Sequence, residues 1–138
     1  MSNISKNRVS LRIFGPDLLP EEISDLLQCL PTKSGKAGDI DPRQKRRTRV
    51  VKEGFWLLGS DESDDSFLER KVEMLLNKLT NDLEIWKDIT TKFRVDIFCG
   101  LFLDNFNEGF DIGPDLLRKL GERNLKIGFD IYSALEAK

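Results

Sequence analysis

The sequence predicts an α+β fold, a two-layer sandwich with a mostly antiparallel sheet of four to five strands and helices on one face. Three observations lead there. Segments 8–14, 93–103 and 125–132 alternate apolar and polar residues with a period of two, which marks strands with one buried face. Between them, leucines and isoleucines recur every three or four residues, which marks amphipathic helices. The order is strand, helix, one or two strands, long helix, strand, helix, strand. It begins as a βαββαβ ferredoxin-like plan and adds a C-terminal helix and strand.

The first strand is Arg8-Val9-Ser10-Leu11-Arg12-Ile13-Phe14, with Val9, Leu11 and Ile13 inward. Gly15-Pro16-Asp17 punctuates the chain. Pro20 suits a first helical position, and Glu21 and Glu22 suit the first turn, where the helix dipole favours anions. Ile23, Leu26, Leu27 and Leu30 continue that helix to Pro31. Segment 31–53 then carries eight positive and three negative side chains, a local charge of +5. Its first half is a loop, Arg47 to Val51 is a candidate strand start, Gly54 breaks it, and Phe55-Trp56-Leu57-Leu58 reads as a short buried strand.

Ser66-Phe67-Leu68-Glu69 has the capping-box pattern. Leu68, Val72, Leu75, Leu76, Leu79 and Leu83 share one face of the longest helix, which bends or restarts near Thr80-Asn81-Asp82, with Trp86 and Ile89 continuing the stripe. Phe93 to Leu103 is the longest apolar run. Phe93, Val95, Ile97, Cys99, Leu101 and Leu103 point one way, and Arg94, Asp96, Phe98, Gly100 and Phe102 the other, as in a central strand with helices over its apolar face. Asp104 to Gly109 is a polar turn whose spacing does not fit a calcium loop. Phe110-Asp111-Ile112 is a candidate return strand. Pro114 and Asp115 open a helix with Leu116, Leu117 and Leu120 inward, and Asn124 is a left-handed stop. Leu125 to Tyr132 is the last strand, with Ile127, Phe129 and Ile131 inward under the helices. Gly-Pro-Asp-Leu-Leu occurs at 15–19 and 113–117; unlike flanks favour shared turn chemistry over duplication.

The 138 residues suit a single domain, 1–138, large enough for a core without disulfides. The net charge of −2 draws the chain to neither nucleic acid nor membrane. The N-terminus lacks the apolar core of a signal peptide and no run approaches a membrane span, so a cytoplasmic protein is expected. Cys29, on a predicted helix, and Cys99, on a strand, are expected to be reduced and buried.

The sequence contains no histidine. That excludes Ser-His-Asp and Cys-His catalysis and histidine-ligated zinc. No Walker pattern and no G-x-G-x-x-G occurs. The expectation is a chain with neither metal nor cofactor. The acidic run Asp61 to Asp65 reads as a solvated turn, and Asp96 and Asp130 as carboxylates paired with Arg94 or Lys126 on the same face.

Several segments together resemble a bacterial family catalogued as a domain of unknown function, number 4279. They are Leu11-Arg12-Ile13-Phe14-Gly15 with Pro20-Glu21-Glu22-Ile23, Pro31-Thr32-Lys33-Ser34 with Lys36-Ala37-Gly38-Asp39, Gly54-Phe55-Trp56-Leu57, and the pair Ile97-Phe98-Cys99-Gly100-Leu101-Phe102 and Gly128-Phe129-Asp130-Ile131-Tyr132. The resemblance spans most of the chain and implies a cytosolic single-domain protein, with no catalytic residue to carry over. The basic run from Arg43 to Arg49 stands apart from the family pattern.

Three function classes follow. The leading one is a non-enzymatic binding or protein-interaction module, such as a toxin-neutralising or regulatory partner protein. Its candidate surface is the sheet face away from the helices: Arg12, Arg94, Asp96, Phe98, Phe102, Lys126, Asp130 and Tyr132, with Gly100 and Gly128 forming a shallow trough. A loop covering those aromatics is the competing expectation. The basic residues Arg43, Lys45, Arg46, Arg47 and Arg49 would meet an acidic partner. The alternatives are a small hydrolase built on Asp96 and Asp130, and single-stranded nucleic-acid binding on the open face, which the acidic balance disfavours.

Overall fold

The computed structural model describes residues 6–44, 48–61 and 66–133. In chain order come β1 (Lys6–Gly15), α1 (Pro20–Leu27), β2 (Lys33–Gly35), β3 (Gly54–Gly59), α2 (Leu68–Asn77), α3 (Leu83–Lys92), β4 (Arg94–Phe102), α4 (Pro114–Glu122) and β5 (Lys126–Tyr132). The strands form one sheet in the order β2-β3-β1-β4-β5. The first three pairings are antiparallel, and β4 pairs with β5 in parallel. The first four strands follow the split ferredoxin-like arrangement, and α4 and β5 extend it beyond β4. The chain is therefore an α+β sandwich. β1 is the middle of the five strands, and β4, the apolar run, is internal as well, paired with β1 on one edge and β5 on the other.

Register explains the core. Leu11 lies opposite Leu58 on one side and Ile97 on the other; Ile13 lies opposite Trp56 and Val95. Their shared face buries Val9, Leu11, Ile13, Trp56, Leu58, Ile97, Cys99 and Leu101. The helices cover that face in one cluster, through Ile23 and Leu27 of α1, Val72, Leu75 and Leu76 of α2, Trp86 and Ile89 of α3, and Leu116 and Leu120 of α4. Both buried tryptophans satisfy their indole N–H: Trp56 donates to Ser24 Oγ at 3.0 Å and Trp86 to the Thr80 carbonyl at 2.8 Å. The buried Lys71 of α2 donates to the Asn7 carbonyl at 2.6 Å, pinning that helix to β1.

The structure departs from the sequence reading where local geometry overrides periodicity. Helix α1 ends at a left-handed Gln28 (φ 59°). Leu30, past that stop, is therefore 80% exposed, and Cys29 lies beyond the helix, half-buried; Leu26, within α1, is exposed as well. The long helix is two helices. Asp82 caps the second, accepting from the Glu84 N–H at 3.0 Å, and Leu83, its first residue, faces solvent. The expected capping box does not form: Phe67 is the N-cap of α2, and Glu69 accepts from the Gly113 N–H, the N-cap of α4.

Leu117 is exposed on the outer side of α4. Phe110 to Ile112 forms no strand; Phe110 instead packs on Phe129 with ring centroids 5.1 Å apart. Phe129 and Ile131, expected under the helices, are 39% and 55% exposed. Strand β5 is an edge, and helical cover ends at Ile127. The candidate strand at 47–51 reduces to a single bridge, Ile40 to Val50, and Arg47 lies outside the described residues. Gly54 begins β3, where a Cβ would run into the Leu18 carbonyl. The two Gly-Pro-Asp-Leu-Leu copies serve different ends: one closes β1 and turns, the other starts α4 at Pro114.

These burials set a contrast. Leu11→Ala should cost about 2–5 kcal/mol in chemical denaturation, because its cavity is sealed on all sides. Leu30→Ala should stay within about 0.5 kcal/mol. Comparable losses would place Leu30 in the core and refute the early helix end.

Candidate functional site

Alternation along β1, β4 and β5 delivers every predicted surface residue to the helix-free face. The register sets Arg12 opposite Asp96, Phe14 opposite Arg94, Ser10 opposite Phe98 and Arg8 opposite Gly100. On the other side of β4, Asp96 faces Lys126, Phe98 faces Gly128, Gly100 faces Asp130 and Phe102 faces Tyr132.

At the centre, Arg12 forks onto Asp96, with Nε to Oδ1 at 2.8 Å and Nη2 to Oδ2 at 2.6 Å. This two-bond geometry matches guanidinium to carboxylate. The hydrogen bonds to Asp96 raise the Arg12 pKa further, against a smaller opposing effect of burial. The same guanidinium lies 4.3 Å from the Phe98 ring centroid and 5.7 Å from that of Phe14, within cation–π range. The partner of Asp96 is thus Arg12, from the neighbouring strand, and not Arg94. Arg94 lies 5.6 Å from the Phe14 ring and pairs with Glu53.

Past Phe98 the face opens. A Cβ at Gly128 would meet nothing within 4 Å, whereas Gly100 is roofed by the Phe102 ring, 3.8 Å from its would-be Cβ. The expected trough therefore keeps only its Gly128 half. Phe102 and Tyr132 form one wall, stacked with centroids 4.8 Å apart and planes 7° from parallel. Tyr132 is exposed, and the hydrogen bond and negative charge of neighbouring Asp130 raise its phenol pKa. Lys126 stands exposed on the edge strand.

At the opposite end a loop covers the sheet. Between β2 and β3 the chain folds back over Phe55, which is fully buried. The Arg43 guanidinium lies 3.8 Å from the Phe55 ring and forks onto Asp41 at 2.9 and 2.8 Å. The Asp41 N–H donates to the Arg49 carbonyl at 2.7 Å and the Val51 N–H to the Asp39 carbonyl at 2.8 Å. Of the basic segment, Arg43 lies over the Phe55 ring while remaining partly exposed, Arg49 is exposed, and Lys45, Arg46 and Arg47 lie outside the described residues. The loop thus covers Phe55 and not the aromatics that the competing expectation set under it: Phe98 and Phe102 are half-buried and Tyr132 is exposed.

Sequence reasoning missed Phe14 and Glu53. Phe14 was legible, since it follows Arg12 by two positions on β1; Glu53 sits in a loop with no periodicity to place it. Among the described residues, no three cysteine or carboxylate side chains gather as metal ligands, and no helix is long and apolar enough to cross a membrane.

Two ionisations can be checked. The hydrogen bonds from Arg43 lower the Asp41 pKa below its ordinary 3.8. Its contribution is complete above that value and lost as pH falls through the depressed one. Asp41→Asn should therefore lower the denaturation midpoint at neutral pH, and its deficit relative to the parent should shrink as acid protonates Asp41. A deficit independent of pH would remove the ion pair as its cause. Burial, reinforced by the charge of Asp96, pushes the Cys99 thiol up to about 12. A thiol-specific disulfide reagent should label only Cys29 in the folded protein and both cysteines in denaturant. Rapid native labelling of both would contradict the sealed position of Cys99.

A family model described as "Domain of unknown function (DUF4279)" matches residues 5–134. No curated protein and no solved structure matches the sequence. The matched span runs from the start of β1 past the end of β5 and takes in both faces of the sheet, so the chain belongs to the family of domain of unknown function 4279.

Proposed function

We propose that the protein is a non-enzymatic interaction module that receives a partner protein on the open half of its helix-free sheet face. The observation that carries this reading is the stacked Phe102–Tyr132 pair beside the uncovered strip over Gly128. Arg12, Asp96, Lys126 and Asp130 surround it with charge. Aromatic and arginine side chains at the centre of a patch are the usual anchors of protein interfaces. The setting we propose is cytosolic, which two unpaired cysteines support.

A non-enzymatic role is also supported by the carboxylates. Asp130 lies opposite Gly100, four residues along β4 from Asp96, a separation of roughly 13 Å along the strand. Carboxylates that act as a pair lie closer, about 3 Å apart in a proton-sharing dyad and about 5–9.5 Å in glycosidases. Asp96 is also already engaged by Arg12. One observation favours single-stranded nucleic acid as a second reading: the flat Phe102–Tyr132 stack is a surface on which a base can lie.

The double variant Phe102→Ser/Tyr132→Ser tests the proposal. A partly exposed aromatic pair contributes about 0.5–1.5 kcal/mol beyond the limited area its rings bury, whereas rings sealed in a second core would cost about 3 kcal/mol or more each. The expected result is a small stability loss together with loss of a discrete protein captured by the parent from its native cell. A large stability loss, or capture unaffected by the variant, would refute the reading. Co-purified RNA lost by the variant would favour nucleic acid.

A further inference from the structure

We propose that the free edge of β5 pairs with the β5 of a second copy of this chain, antiparallel and centred on Phe129, to join two five-stranded sheets into one. The inference rests on the edge itself and not on the partner reading above.

The two edges of the sheet differ. Strand β2 is three residues long, whereas β5 offers seven, Lys126–Tyr132. Its hydrogen bonds to β4 fix which backbone groups are spent. The Leu103 N–H donates to the Tyr132 carbonyl at 3.1 Å, so in this parallel pair Lys126, Gly128, Asp130 and Tyr132 direct their backbone groups to β4. Ile127, Phe129 and Ile131 direct theirs outward. An unpaired row of this kind is a template for another strand unless proline, a bulge or like charges blunt it. Strand β5 has no proline, its register with β4 is continuous, and its two charges, Lys126 and Asp130, are opposite in sign.

The edge is complementary to itself. With Phe129 opposite Phe129 of the second copy, Ile127 falls opposite Ile131 and Ile131 opposite Ile127. Every outward N–H and C=O then meets a counterpart, because all three residues fall in hydrogen-bonded pairs of the antiparallel ladder. The side chains match too. Phe129 and Ile131, 39% and 55% exposed, extend the apolar face across the two-fold axis. On the opposite face Lys126 falls opposite Tyr132 and diagonal to Asp130 of the other copy, within reach of a long side chain. That attraction occurs twice by symmetry. This charge complementarity selects a second copy of the chain as occupant over an unrelated strand.

Sedimentation equilibrium and a charge swap test the proposal. The parent should reversibly reach twice its 15.9 kDa mass as concentration rises. Phe129→Lys, which sets two ammonium groups across the axis, should weaken association by roughly tenfold or more. Lys126→Asp and Asp130→Lys should each weaken it, and the two together should restore it, since only self-pairing exchanges both charges at once. Far-UV circular dichroism checks that each variant is folded. A parent that stays monomeric up to its solubility limit overturns the proposal. So does a dimer indifferent to Phe129→Lys, or a charge-swapped double variant no tighter than the single ones.

Discussion

Strand β1 has two different faces and neighbours on both edges, and the rest of the molecule depends on that constraint. Val9, Leu11 and Ile13 sit under the helices, and Arg12 and Phe14 stand on the other side. A slip of one residue against either β3 or β4 would turn Arg12 into the core and Leu11 out of it. The cost of burying an unpaired guanidinium makes that alternative untenable. The registers of three strands are thus fixed by one segment. The helices follow, because Ile23, Val72, Trp86 and Leu116 can bury their apolar stripes only over the side that β1 leaves apolar.

The helix-free face is held by a different kind of contact. Guanidinium groups lie over rings along much of its length: Arg43 over Phe55, Arg94 and Arg12 near Phe14, Arg12 over Phe98. Partly exposed ion pairs such as Arg12–Asp96 contribute on the order of 1 kcal/mol or less, and cation–π contacts at such sites are of similar size. These contacts order the face and let it remain against water. A second helix layer is unnecessary there, and the Phe102–Tyr132 end can stay open while a loop closes over Phe55.

The sequence made the α+β class, both sheet faces and every long element legible, because each rests on a periodicity set by the backbone. Arg12, Asp96, Phe98, Phe102, Asp130 and Tyr132 could be assigned to one face by counting twos. Their pairings could not be. Whether Asp96 meets Arg94, on its own strand, or Arg12, eighty-four residues away, depends on strand order, which alternation does not encode. The misplaced leucines have local causes. Leu30 left the core because Gln28 adopts a left-handed conformation, and no glycine or asparagine announced that stop. Leu83 left it because Asp82 begins a new helix. The capping-box serine and glutamate were a true pattern in the wrong context, since Glu69 found the Gly113 N–H across the fold instead.

The position of β1 in the middle of the sheet also has a consequence for how the chain reaches its fold. Its partners are β3, 39 to 49 residues later at the paired positions, and β4, 80 to 96 later. Loops of that length must close before the central strand gains either neighbour, and non-local pairing of this kind slows folding. On the ribosome, β1 emerges before either partner and is completed only once β4 has been made. Until then at least one of its edges waits without a partner strand, a condition that exposes nascent chains to aggregation. The polar residues between its apolar ones, Ser10 and Arg12, which later lie on the helix-free face, then interrupt an otherwise continuous apolar run.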